Sequence, residues 1–143
     1  MSRIKIDIPE QFFFSCTIPI RITDINYGGH VGNDKILSVA HEARMQYLKS
    51  IGYSEMEFDG VGTIMADAAI EYKNEIFYGD NIKVSVRALN ITKIGFDLIY
   101  KLEVETNDRK KIVALIKTGM ICFDYEKKKI TAMPEEAKIK LLQ

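Results

Sequence analysis

The chain has 143 residues and a mass of 16.3 kDa, room for one hydrophobic core and too little for two, so residues 1–143 are read as a single domain. Twenty Lys and Arg balance twenty Asp and Glu, so no global field favours nucleic acid or an anionic membrane, and neither is expected as a partner. A hydrophobic share of 47% excludes a largely disordered chain.

The segment from Gln11 to Ile22 is rich in Phe, Ile and Thr and reads as a strand. It ends at the turn-prone stretch Asp24 to Asn33, which holds Gly28, Gly29 and Gly32. Ile36, Val39, Ala40, Ala43 and Tyr47 then recur at three- and four-residue steps, with Asn33 or Asp34 placed to cap the start and Gly52 just past the end. This predicts an amphipathic helix of about five turns. Its stripe takes in Leu37, Leu48 and Ile51, wide enough to be wrapped by a sheet.

From Gly60 the period becomes two. Strands are predicted near Gly62 to Tyr72 and Ile82 to Leu89, with Tyr78, Gly79, Asp80 and Asn81 forming a turn between them. Phe96, Leu98, Tyr100, Leu102 and Val104 alternate with Asp97, Lys101, Glu103 and Glu105, the pattern of a half-buried antiparallel strand. Asn107 and Asp108 supply another turn. The run from Ile112 to Phe123 is apolar on both parities, as in a central strand covered on both faces. Gly119 within it suggests close backbone approach to the helix. Lys127, Lys128 and Lys129 form a solvated turn, and Pro134 to Gln143 reads as a short helix.

One helix followed by consecutive antiparallel strands is an α+β arrangement, since the connections are too short for βαβ crossovers. One sheet face grips the helix. The other carries Val113, Leu115, Ile121 and Phe123, which predicts a subunit interface. Cys16 and Cys122 are too few for a disulfide scaffold and stand in no zinc-binding spacing, so they are read as packing residues and no metal is expected. No apolar run reaches the roughly 18 to 20 residues of a spanning helix, and Asp7 and Glu10 break the stretch a signal peptide would use. The expectation is a cytoplasmic protein with reduced thiols.

The stretch Asp24-Ile25-Asn26-Tyr27-Gly28-Gly29-His30-Val31-Gly32-Asn33, followed by a helix containing Glu42-Ala43-Arg44 and Tyr47-Leu48, resembles the hotdog-fold acyl-CoA thioesterases of the 4-hydroxybenzoyl-CoA thioesterase type. Tyr72 and Tyr78-Gly79-Asp80 are similar to that family's later strand and turn. The resemblance implies a long central helix wrapped by a curved antiparallel sheet. It also implies a homodimer with a continuous sheet, often a dimer of dimers, and active sites shared between subunits. The substrate would be an acyl-CoA or acyl carrier protein thioester, with coenzyme A part of the substrate and no separate cofactor. Two positions depart from the family pattern. Asn26 stands where many members carry a catalytic Asp, with Asp24 the nearby acid, and Gly32 replaces the first Asn after Gly-His-Val. Glu42 aligns with the Glu of the family's Glu-Ala-Arg helix, which some members use instead.

Thioester hydrolysis needs a base to deliver water and donors to hold the oxyanion. Backbone N–H groups around Gly29, Val31, Gly32 and Asn33, at a helix start, suit the second need. Glu42 and Asp24 are the candidate bases; Glu42, three residues after Val39, is placed to flank the buried stripe, where partial burial would raise its pKa. The alternative is an exposed Glu42 paired with Arg44 or Lys49. Asn26 and His30 suit substrate orientation, though both also suit a turn. Asp67, among small apolar strand residues, is either a substrate-side carboxylate reaching Glu42 or the loop across an interface, or simply outward-facing. His41 is read as structural. The competing functions are a hotdog hydratase or dehydratase and a non-catalytic acyl-thioester binder.

Overall fold

The computed structural model describes residues 1–106 and 109–143, so the turn predicted at Asn107 and Asp108 lies outside the described residues. In chain order the elements are β1 (Phe14–Pro19), α1 (Asn33–Ser50), β2 (Gly62–Tyr72), β3 (Asn81–Leu89), β4 (Gly95–Thr106), β5 (Arg109–Asp124), β6 (Lys129–Ile130) and α2 (Glu135–Leu141), with a 3-10 turn at Ile22–Asp24. Only Phe14 to Pro19 of the expected Gln11 to Ile22 strand pairs with β3. Residues 1–13 instead form an extended arm. No helix among the described residues is long and apolar enough to cross a membrane.

All strand pairs are antiparallel, in the order β1-β3-β4-β5-β2, with β6 beside β5. The turn around Gly79 forms, but it joins β2 and β3, which are not neighbours in the sheet. It is a crossing connection rather than a hairpin, because β2 pairs with β5 from Gly62 to Tyr72.

Helix α1 lies on one face of this sheet. Ala40 and Ala43 are fully buried, and their lack of bulk lets the helix axis sit close to the strands. The alternation predicted for β4 holds, with Phe96, Leu98, Tyr100, Leu102 and Val104 all in the core beside Ile82, Val84 and Val86 of β3. Arg44 is buried rather than a surface partner of Glu42: its Nε donates to Glu55 Oε1 at 2.6 Å and its Nη1 to the Tyr100 hydroxyl at 3.1 Å. That hydroxyl also bonds Thr118 Oγ1 at 2.8 Å. A charge under a helix is tolerated because each of its neighbours has a partner.

The opposite face differs from expectation in two ways. The β4–β5 register shifts between Leu102 and Glu103, and Val113, the residue left over on β5, belongs to the core on the helix side. Leu115 does stand on the outer face, with Ile99, but the arm crosses there. Ile6, Pro9 and Phe12 are its half-buried residues. Ile6 N–H donates to Glu71 Oε1 of β2, Lys101 Nζ of β4 sits over the Phe12 ring, and Arg87 of β3 sits over the Phe13 ring while donating to the Gln11 carbonyl. The chain therefore covers part of its own apolar sheet face.

Candidate active site

The loop entering α1 closes on itself. Asn26 N–H donates to the His30 carbonyl at 2.9 Å, Gly29 N–H to the Asn26 carbonyl at 3.1 Å, and Gly28 N–H to Asn26 Oδ1 at 2.8 Å. Gly29 makes the reversal at φ +83°, where a side chain would be strained. Asn26 thus shapes the turn. Asp24 is buried, and its Oδ2 accepts the Arg21 N–H at 2.9 Å, closing the 3-10 turn. His30 Nδ1 lies 3.2 Å from the Val31 carbonyl, which fixes its ring over the loop.

Helix α1 begins one residue earlier than expected. Gly32, not Asn33 or Asp34, is the N-cap residue, and no side chain caps the first turn. The donor set is smaller than the run Gly29 to Asn33. Gly29 N–H is held by Asn26, Val31 N–H by the Ile76 carbonyl at 2.8 Å, and Gly32 N–H by the Asp24 carbonyl at 3.3 Å. Among the described residues, the N–H groups without a partner there are those of His30, Asn33 and Asp34.

Five of the predicted residues divide between two cavities on opposite flanks of the helix's first turns, while Asn26, Gly29, Gly32 and Asp67 line neither. His30, Val31, Asn33 and Ile36 line one of about 290 Å³, closed by Tyr72 at the end of β2 and by Asn74 and Ile76 beyond it. The Tyr72 hydroxyl donates to the Asn33 carbonyl at 3.1 Å. Asp24 and Glu42 line the other, of about 230 Å³, with Ser38 and Pro19. Glu42 does not flank the buried stripe; it is exposed, and among the described residues it forms no ion pair or hydrogen bond. Burial, and next the Glu42 carboxylate, push the half-buried Cys16 thiol above its ordinary pKa, so this cysteine is not poised as a nucleophile.

Within one copy Asp67 does not reach the loop, and its carboxylate is engaged at the β2–β5 pairing. Its Oδ1 accepts Lys117 Nζ at 2.7 Å and Gly119 N–H at 3.0 Å, beside a β2 bulge between Met65 and Asp67. The Lys117 ammonium above all holds its carboxyl below the usual range. Gly119 is correspondingly not a point of approach to the helix: a Cβ there would lie 2.5 Å from Asp67 Oδ1. The segment Lys73 to Ile76 escaped the sequence reading altogether. Asn74 and Glu75 look like ordinary turn residues, and long-range bonds, from Val31 N–H to the Ile76 carbonyl and from the Tyr72 hydroxyl to the Asn33 carbonyl, bring them beside His30.

A single long helix on an antiparallel sheet, its uncapped amino end opening on a cavity, defines the class as a hotdog-type α+β protein. Solved structures agree. A thioesterase superfamily protein from Jannaschia sp. CCS1 matches with a TM-score of 0.83 at 14% identity, covering 94% of this chain and 84% of that one. The DHNA-CoA thioesterase of Staphylococcus aureus matches at 0.79 and 20% identity over 90% and 89%. The 1,4-dihydroxy-2-naphthoyl-CoA thioesterase of Synechocystis matches at 0.79 and 18% identity over 91% and 96%. The chain itself belongs to the thioesterase-like superfamily, whose family model matches residues 20–141. No curated protein matches its sequence.

Proposed function

We propose that the chain is a cytoplasmic thioester hydrolase that cleaves an acyl-CoA to the free acid and coenzyme A, working as a homodimer that pairs further into a dimer of dimers. The observation supporting this is the uncapped start of α1, whose Asn33 and Asp34 N–H groups have no partner among the described residues, beside the cavity lined by His30. These donors, reinforced by the helix dipole, hold the carbonyl oxygen as it becomes an oxyanion; one such donor is worth about 10²- to 10³-fold in rate. Glu42 is the preferred base, because the Asp24 carboxylate is already engaged by the Arg21 N–H. Within one copy Glu42 lies across the helix from His30, so the base acting on this cavity comes from a second copy.

Glu42 takes a proton from water as the water oxygen bonds to the acyl carbon. The tetrahedral intermediate then collapses, the C–S bond breaks, and the thiolate leaves with that proton. His30 and Asn33 orient the thioester. Thiol release from a panel of acyl-CoAs tests the reading. Glu42→Gln is expected to lower kcat by about 10²- to 10⁴-fold. Binding without release at every chain length would point to an acyl-thioester carrier instead, and a harmless Glu42→Gln would remove it as the base.

A further inference from the structure

Tyr72 and Lys73 face two cavities at once. On the helix side they close the pocket holding His30 and Asn33. On the other side they meet a broader cleft of about 820 Å³, whose far wall is Met1 to Lys5 of the arm. Ile6 N–H holds the arm to Glu71 Oε1 at 3.1 Å, and Lys73 Nζ pairs with Glu71 Oε2 at 3.0 Å. The one carboxylate of the cleft is thereby occupied. Lys73 is spent on that pair, and two further cationic side chains, Arg3 and Lys5, remain around the cleft, in a chain whose formal charges cancel. Arg3 and Lys5 are exposed, and among the described residues neither makes an ion pair.

We infer that this cleft takes the phosphate groups of the substrate's carrier, so that a coenzyme A thioester lies with its acyl end at the start of α1 and its nucleotide against the arm. The inference rests on the acyl-CoA reading above and adds to it the place where the carrier's phosphates are held. Guanidinium and ammonium groups beside a reaction pocket suit a small polyanion tethered to an apolar acyl group, and two cavities sharing Tyr72 and Lys73 match those two halves.

The test compares an acyl-CoA, the same acyl group on pantetheine, which lacks every phosphate, and the same group on an acyl carrier protein. In Arg3→Gln/Lys5→Gln, the ratio of kcat/KM for acyl-CoA to that for acyl-pantetheine is expected to fall about tenfold, carried by KM. Raising salt should shrink the same ratio in the unmodified protein and less so in the variant. An unchanged ratio, or a clear preference for the carrier protein, overturns the assignment. Calorimetry with free coenzyme A and pantetheine separates the two proposals. If no thioester is cleaved, hydrolysis fails; coenzyme A binding that exceeds pantetheine binding and is lost in the variant still supports the cleft, and equal binding refutes it.

Discussion

Asp24 and Glu42 border the same small cavity, and their surroundings separate their roles. Asp24 is buried with an oxygen on the Arg21 N–H, so its charge serves the 3-10 turn that delivers the loop to the helix. Glu42 is exposed and has no such employment. Asp24→Ala should therefore cost about 1 kcal/mol of stability, of the order of a lost cap, and lower Tm by roughly 3 °C. Glu42→Gln should leave Tm within roughly 1 °C, as surface substitutions do, while it removes activity. Thermal melts run beside thiol-release assays check both; a large Tm loss in Glu42→Gln would mark that residue as structural. The residue types of this site were legible in the sequence because carboxylate, amide and imidazole beside glycines are local features. Their grouping was not. It depends on which flank of α1 each residue takes and on the Val31–Ile76 bond, which spans the chain.

At the scale of elements, α1 was readable because helical periodicity is local, and β4 because its alternation is clean. Sheet order was not, since nothing near Tyr72 records that β2 passes over to β5. The β2–β5 contact turns on Gly119, which leaves room for the Asp67 carboxylate 2.5 Å from where a Cβ would stand. Gly119→Ala should destabilise by about 1 kcal/mol, because the exposed Asp67 carboxylate must turn away and give up its bond from the Gly119 N–H, and by much less in an Asp67→Ala background, where the obstructing group is gone. A denaturant double-mutant cycle measures this, and additive effects would refute the proposed clash. The arm carries a pH-dependent anchor. The Ile6 N–H, and next Lys73, hold the Glu71 carboxyl below the usual glutamate range. A lowered folded-state pKa gives stability that is present above the unfolded value and lost as pH falls through the folded one. The arm should stay docked at neutral pH and loosen in acid, below the ordinary glutamate range, which faster amide exchange at Ile6 relative to the core would report.

For the whole molecule, the two sheet edges are unlike. β1 is a strand of 6 residues, while β2 has 11 and exposes Met65, Ala66, Asp67 and Ala68 in succession. The bulge between Met65 and Asp67 interrupts the alternation there, but Asp67 and Ala68 beyond it point to opposite faces, so that run is bare on both faces as well as along its edge. A long uncovered edge with apolar side chains is a template for strand pairing, and natural sheets rarely leave one exposed. The outer face, by contrast, is partly taken by the arm. A second copy paired antiparallel along β2 satisfies both facts by extending the sheet across a two-fold axis. Met65→Lys/Ala68→Lys should set like charges against each other at that seam. Light scattering is expected to give four times 16.3 kDa for the unmodified chain, the dimer of dimers, and no more than twice 16.3 kDa for the variant, whose seam along β2 is lost. Activity should fall in step with the dimer fraction, because each site loses its base. An unmodified chain that is monomeric at assay concentration and still releases thiol would show that a single copy contains the complete site.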